Sequence, residues 1–196
     1  MPNILTYHQE LYRKFVHIFS CGTLAFLFWY FGKENLLPFI ITISFLFPFL
    51  DYLKKYIPII KNISLALFGN ITRPHEHRAI SGASWVLIGS GITAYLFNEK
   101  VVIIALIIMA LSDSAAALVG IRYGTTRLFN KSLEGSLAFF IATYIIIFLL
   151  SSPSFMLLLI ASIISTIVEL FSTQKFNDNI LIPVVIAFIL DLGGIH

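Results

Sequence analysis

The chain has 196 residues, 58% of them hydrophobic and 12% charged, with a net charge of +3 and a mean hydropathy of +0.91. Soluble domains carry about 25% charged residues. This composition therefore excludes an ordinary soluble enzyme and predicts an all-α, polytopic membrane helix bundle forming a single domain over 1–196. The one cysteine, Cys21, lies in the first apolar run, so no intrachain disulfide forms and the thiol reads as a small buried hydrophobe. No Cys/His cluster has zinc-ligand spacing, and nothing points to a nucleic-acid partner.

A membrane span needs roughly 20 apolar residues, and closed backbone hydrogen bonding makes each span a helix. Seven segments qualify: 15–31, 36–53, 79–97, 101–120, 137–151, 153–171 and 180–195. The first lacks an Ala-x-Ala-like cleavage site and reads as a retained span. The connection 54–78 alternates isoleucine and leucine with Lys61, Asn62 and Ser64, which suits an interfacial helix with Pro58 near its start; a partly ordered loop is the alternative. In the third segment, Gly89-Ser90-Gly91-Ile92-Thr93-Ala94 fits the dinucleotide pattern G-x-G-x-x-A. No strand precedes it, so it reads as a helix-packing face. With the N-terminus inside, eleven of the thirteen Lys and Arg fall on the cytoplasmic side, and only Lys33 and Lys100 fall outside. The positive-inside rule then predicts a multi-pass protein with a cytoplasmic N-terminus.

The remaining polar residues gather at the same end. His17 lies one turn beyond Arg13 and Lys14, on their helix edge. Arg73 to Arg78 opens the third span. Asp113 is about two turns from the inner end of the fourth, Glu169 is near the inner end of the sixth, and Asn177-Asp178-Asn179 opens the seventh. A carboxylate inside a membrane helix is costly and marks a functional site by default. Asp113 is followed at once by a loop carrying Arg122, Arg127, Lys131 and Glu134. Such a pairing suits a phosphorylated, Mg²⁺-bound substrate, because Mg²⁺ takes one or two carboxylates plus phosphates and basic groups stabilise a transferring phosphoryl group. Asp113, Ala116, Gly120 and Gly124 share one helix face, where small residues permit close helix approach. Each motif also has a plainer reading: a charged anchor for Arg13 to His17, a solvated loop for 73–78 and 122–134, a helix cap for Asp178-Asn179, an exposed terminal charge for Asp191. The chain has no G-x-x-x-x-G-K-[ST], which argues against a P-loop.

Five motifs carry a family resemblance. They are Arg13-Lys14-x-x-His17; Arg73-x-x-Glu76 with Ser81-Gly82-Ala83-Ser84-Trp85; Asp113-x-x-Ala116-x-x-x-Gly120-x-x-x-Gly124; Lys131-Ser132-x-Glu134-Gly135-Ser136; and Asp178-Asn179-x-x-Ile182-Pro183. Together they resemble the polyprenol kinase family, which includes dolichol kinase, phytol kinase and CTP-dependent diacylglycerol kinase. The resemblance spans about residues 11 to 184. It implies phosphoryl transfer from CTP to a membrane lipid alcohol, with Mg²⁺ or another divalent metal. Carried onto this chain, it makes Asp113, Lys131, Glu134, Asp178 and His17 candidate catalytic residues. Asp113 and Glu134 become metal ligands. Arg13, Lys14, Arg73, Glu76, Gly120, Arg122, Gly124, Arg127, Ser132, Gly135 and Asn179 become nucleotide contacts. His17, Glu76 and Asp178 are the candidate general bases. The Asp113 and Lys131 motifs are also similar to phosphatidate cytidylyltransferase, but the tail from Asp178 to Pro183 departs from that enzyme's signature. A small transporter or scaffold is the reading from another class. It needs polar groups reaching both faces, which spans one, four and six lack.

The topology is testable. A cysteine placed between 125 and 129 should react with an impermeant thiol reagent only from the cytoplasmic side. Reaction from the outside alone would overturn the orientation.

Overall fold

The computed structural model describes residues 7–69, 80–129, 131–172 and 177–195. Eight helices and one minimal hairpin follow in order: α1 (Tyr7–Phe31), α2 (Lys33–Leu53), α3 (Pro58–Phe68), α4 (Gly82–Leu96), α5 (Glu99–Tyr123), β1 (Arg127–Leu128), β2 (Lys131–Ser132), α6 (Leu133–Ser151), α7 (Phe155–Phe171) and α8 (Asp178–Leu192). Seven helices fall on the seven predicted segments. The eighth, α3, forms where the interfacial helix is expected, with Pro58 in its first turn.

By length and composition, α1, α2, α5 and α6 can each cross a membrane, which makes this an integral membrane protein. The other three are shorter: α4 and α8 have 15 residues and α7 has 17. A 15-residue helix rises about 22 Å, against a hydrocarbon core of about 30 Å. Four crossings are therefore carried by helix length; the expected seven are not.

The helix starts are written locally. Side-chain oxygens of Ser81, Asn98, Ser132, Ser154 and Asn177 each cap the helix that follows, as their acceptor geometry favours. Between α1 and α2 the chain reverses at Gly32, whose φ of 78° is open to glycine at little cost.

Helix α5 is the centre of the bundle, packed between α1 and α6 and against α8. Its buried residues run round the whole helix, from Val101 to Ala116. Helix α1 buries only a stripe, Lys14, His17, Cys21, Leu24 and Phe28, and turns Phe15, Phe19 and Trp29 outward. That is the pattern of a helix with one protein-facing side and one lipid-facing side.

Small residues set the close crossings. A Cβ on Gly120 would stand 2.8 Å from Ser132 Oγ, and one on Gly135 would stand 2.7 Å from the Ala116 carbonyl oxygen. The small face read from Asp113 to Gly124 is thus where α6 rests on α5. Gly89 packs α4 on α8, where a Cβ would overlap the Asn179 carbonyl oxygen. Asn179 is four residues before Pro183, which has no N–H to offer that carbonyl. Gly89 takes up the space at this gap in the helical ladder, so the G-x-G-x-x-A match is a packing face.

Gly89→Ala forces this crossing apart. It should lower stability by about 1–3 kcal/mol, the range for overpacking, in thermal unfolding of the purified protein in detergent. A variant that melts with the wild type would show that α4 and α8 do not meet here.

Candidate active site

The charged residues meet at one end of the bundle. Lys14 on α1 and Asp113 on α5 form a buried ion pair, with 4% and 6% of their side chains exposed. His17, one turn further along α1, places Nε2 3.5 Å from Asp113 Oδ2 and 3.1 Å from the Met109 carbonyl oxygen. A carbonyl only accepts, so Nε2 carries the proton in that bond. Nδ1 faces Cys21 Sγ at 3.8 Å. Arg13 turns the other way and pairs with Glu10.

Lys131 is the second centre. It sits on β2, opposite Leu128. Its Nζ lies 2.9 Å from Glu169 Oε1 on α7 and 3.3 Å from Asp178 Oδ2 at the start of α8. Ser136 on α6 donates to the other oxygen of Glu169 at 3.0 Å. Burial by itself lowers the Lys131 pKa, but Asp178 and Glu169 outweigh it and hold the ammonium above the ordinary lysine range. The stabilisation this reports is present below that range and is lost only when pH rises through the elevated value. Lys131 is therefore charged at any neutral pH.

The remaining candidates divide. Asn179 is buried beside Asp178, and its N–H donates to the Asn177 cap. Ser132 is buried and caps α6. Gly120, Gly124 and Gly135 face Ser132 and each other's helix, so their freed space holds protein. Arg122 and Arg127 are exposed, and Arg122 lies over the rings of Tyr7 and Tyr123. Arg73 and Glu76 lie outside the described residues.

Glu134, expected as a catalytic residue and metal ligand, is turned toward the hairpin. Its Oε1 accepts from Thr125 N–H, Thr125 Oγ1 and Thr126 N–H, and so ties the hairpin to the start of α6. Glu169 and Asp178 orient Lys131. Sequence reading noted Glu169 without giving it a role. The signal was available, since it is the lone charge in α7. Asp51, at the end of α2, was missed in the same way. It accepts from Ser81 N–H, Ser81 Oγ and Ser84 Oγ at 2.6–2.7 Å and pairs with Lys54. Asp191 is not a free terminal charge, because it accepts from Asn98 at 3.0 Å.

The described residues do not fit a metal held by protein alone. No group of three or more His, Cys, Asp or Glu converges among them. Asp113, Glu169, Asp178 and Asp51 are each already held by a lysine, and Glu134 is engaged by the two threonines.

No family model and no solved structure matches the chain. An uncharacterized protein of Rickettsia prowazekii (strain Madrid E) is 35% identical over 76% of this chain and 76% of its own length. The chain belongs to the family of that protein. More distant homologues are named lipid kinases. CTP-dependent diacylglycerol kinase 1 of Schizosaccharomyces pombe is 28% identical over 98% of this chain and 99% of its own length. The dolichol kinase of the same yeast is 29% identical over 57% of this chain but only 25% of its own length. Each of these two names is that of a lipid kinase.

The Lys14–Asp113 pair gives a prediction separable from catalysis. Lys14→Met or Asp113→Leu alone leaves a buried charge without its partner and should cost about 3–5 kcal/mol. The double variant should recover most of that loss. Unfolding curves of the three proteins check this, and a double variant no more stable than the singles would contradict it.

Proposed function

We propose that the chain is a lipid-alcohol kinase that transfers the γ-phosphoryl group of CTP to a hydroxyl of a membrane lipid. The observation that carries this reading is Lys131. A lysine held between two carboxylates at the mouth of a membrane bundle is pre-oriented, permanently charged and a quarter exposed. Two of its three N–H donors are taken by Glu169 and Asp178, and the third is left for a phosphate oxygen. Lipid kinase homologues of this chain support the reaction class.

In this reading Lys131 holds the triphosphate, and the exposed Arg122 and Arg127 meet the rest of its charge. The buried carboxylates and cations largely cancel one another, so added anionic charge is compensated from the surface. The resemblance implies a divalent ion. As the donor set offers it no protein-only site, it comes with the nucleotide as part of the substrate. The lipid hydroxyl oxygen forms a bond to the γ-phosphorus as the bond from that phosphorus to the β,γ-bridging oxygen breaks. CDP leaves with that electron pair, and the hydroxyl proton passes to Asp178. Asp178 suits this role because it touches Lys131 and its neighbour Asn179 reaches the inner wall of the bundle. Lys14 and Asp113 fix α1 against α5, so that His17 and Arg13 stand at the same place.

Purified protein incubated with γ-labelled CTP and a lipid alcohol should place the label on the lipid. Transfer of the cytidylyl group instead indicates a cytidylyltransferase, and no transfer overturns the enzymatic reading. Asp178→Asn should lower kcat by about 10²–10⁴-fold, the usual span for a general base, and keep KM for CTP within a few-fold. Lys131→Ala should raise KM for CTP more than KM for the lipid. An unchanged CTP dependence in Lys131→Ala excludes the phosphate contact.

A further inference from the structure

A cavity of about 420 Å³ opens between α1, α2, α3 and α4. Its lining takes in His17, Arg13, Asp51 and Lys54 from the charged groups described above. One wall is apolar: Phe47 and Leu50 from α2, Ile60 and Ile63 from α3. Phe47 and Ile63 are also exposed on the outer surface, at 40% and 56%, so this wall continues into the lipid-facing side. The opposite wall holds His17 and Asn179. His17 touches Asp113, and Asn179 adjoins Asp178, the partner of Lys131. The cavity and the phosphate side of the site therefore share a wall.

Two cations also line it, Arg13 and Lys54. Each already has one carboxylate partner, Glu10 and Asp51 respectively. Asp51 is anchored by three donors from Ser81 and Ser84, so Lys54 is held in position rather than free to swing away. A guanidinium and an ammonium carry more N–H donors than one carboxylate uses. Among the described residues, the apolar wall offers these spare donors no acceptor. A hydrocarbon alcohol would bring them none. An acceptor with ester carbonyls close to its hydroxyl would.

We infer that this cavity is the acceptor site and that its two cations select an ester-bearing alcohol of the diacylglycerol type over an isoprenoid alcohol. This rests on the lipid kinase reading. The hydroxyl lies at the His17 and Asn179 wall, the ester carbonyls face Arg13 and Lys54, and the acyl chains leave past Phe47 and Ile63 into the bilayer. The volume fits this division. It suits the head of such a lipid, within the range of small-molecule pockets, and leaves the chains outside.

The test uses the purified full chain with CTP and three acceptors: a diacylglycerol, its dialkyl ether analogue without carbonyls, and a polyprenol. The diacylglycerol should exceed both others in kcat/KM by about tenfold or more, because donors built for an acceptor penalise a substrate lacking it. Lys54→Met should narrow that gap. Ala83→Trp, which projects bulk from the cavity rim, should raise KM for diacylglycerol about tenfold and leave KM for CTP unchanged. A diacylglycerol carrying a diazirine near its headgroup should label residues 47–50 or 60–64 of the wild type. Labelling elsewhere overturns the site even where a variant fails to fold. Equal or better use of polyprenol overturns the ester selection and leaves the kinase reading standing. No transfer to any acceptor by the wild type overturns that reading, and the acceptor site falls with it.

Discussion

Everything at the charged end of this bundle depends on burying Lys14 against Asp113. Neither charge is tolerable alone in an apolar interior, where the desolvation penalty of a single ion is several kcal/mol. Together they are acceptable only at one relative position of α1 and α5. The pair therefore acts as a register pin between the first helix and the central one. It brings His17 onto the Met109 carbonyl, and Arg13, next to Lys14 in the chain, lines the same cavity as His17. In a membrane, apolar side chains give helices little reason to prefer one neighbour over another, since lipid tails are equally apolar. Polar pairs and close small-residue contacts must supply that choice, and here both occur on the same helix, α5.

Lys131 does for the second half of the chain what Lys14 does for the first. It comes from a two-residue strand rather than a helix, and it reaches one carboxylate on α7 and one on α8. Ser136 adds α6 to the same cluster through Glu169. The start of α8 is further fixed from behind, because Gly89 of α4 packs on the Asn179 carbonyl that Pro183 leaves without a helical donor. Asp178 is thus set by two unrelated contacts, an ion pair in front and a backbone packing contact behind. Such over-determination is what a group that must act at a defined distance requires.

Much of this was legible in the sequence, and the reasons differ by level. Apolar runs located the seven helices other than α3, and Asp113 in α5 was found because hydrocarbon makes an unpaired carboxylate expensive. The same rule applied to Glu169 and Asp51, but Glu169 sits alone among apolar residues and Asp51 lies with Lys54 and Lys55 at the edge of a long connection, so neither drew a role. Partners were the least legible feature. Glu134 is three residues from Lys131 and shares its motif, yet the two are not partners. The hairpin turns it toward Thr125 and Thr126, while the partners of Lys131 come from more than thirty residues away. Helix period fixes which residues share a face within one helix; it says nothing of which faces of different helices meet. The number of crossings was unreadable for a related reason. Hydropathy finds apolar stretches, yet α4, α7 and α8 are shorter than a bilayer core.

The geometry also explains why two chemistries that avoid each other can meet here. A nucleotide triphosphate is confined to water, and a lipid alcohol is confined to the bilayer. The residues between them are few: His17 and Asn179 face the apolar cavity, and each is one contact from a charged group, Asp113 or Asp178. Those charges are compensated in place by lysines, so the wall is polar without being a net charge that would repel an apolar ligand or draw bulk water behind it. In the kinase we propose, this thin partition, with its carboxylates paired to Lys14 and Lys131, lets a hydroxyl approach from the membrane while Lys131 holds phosphate from the other side.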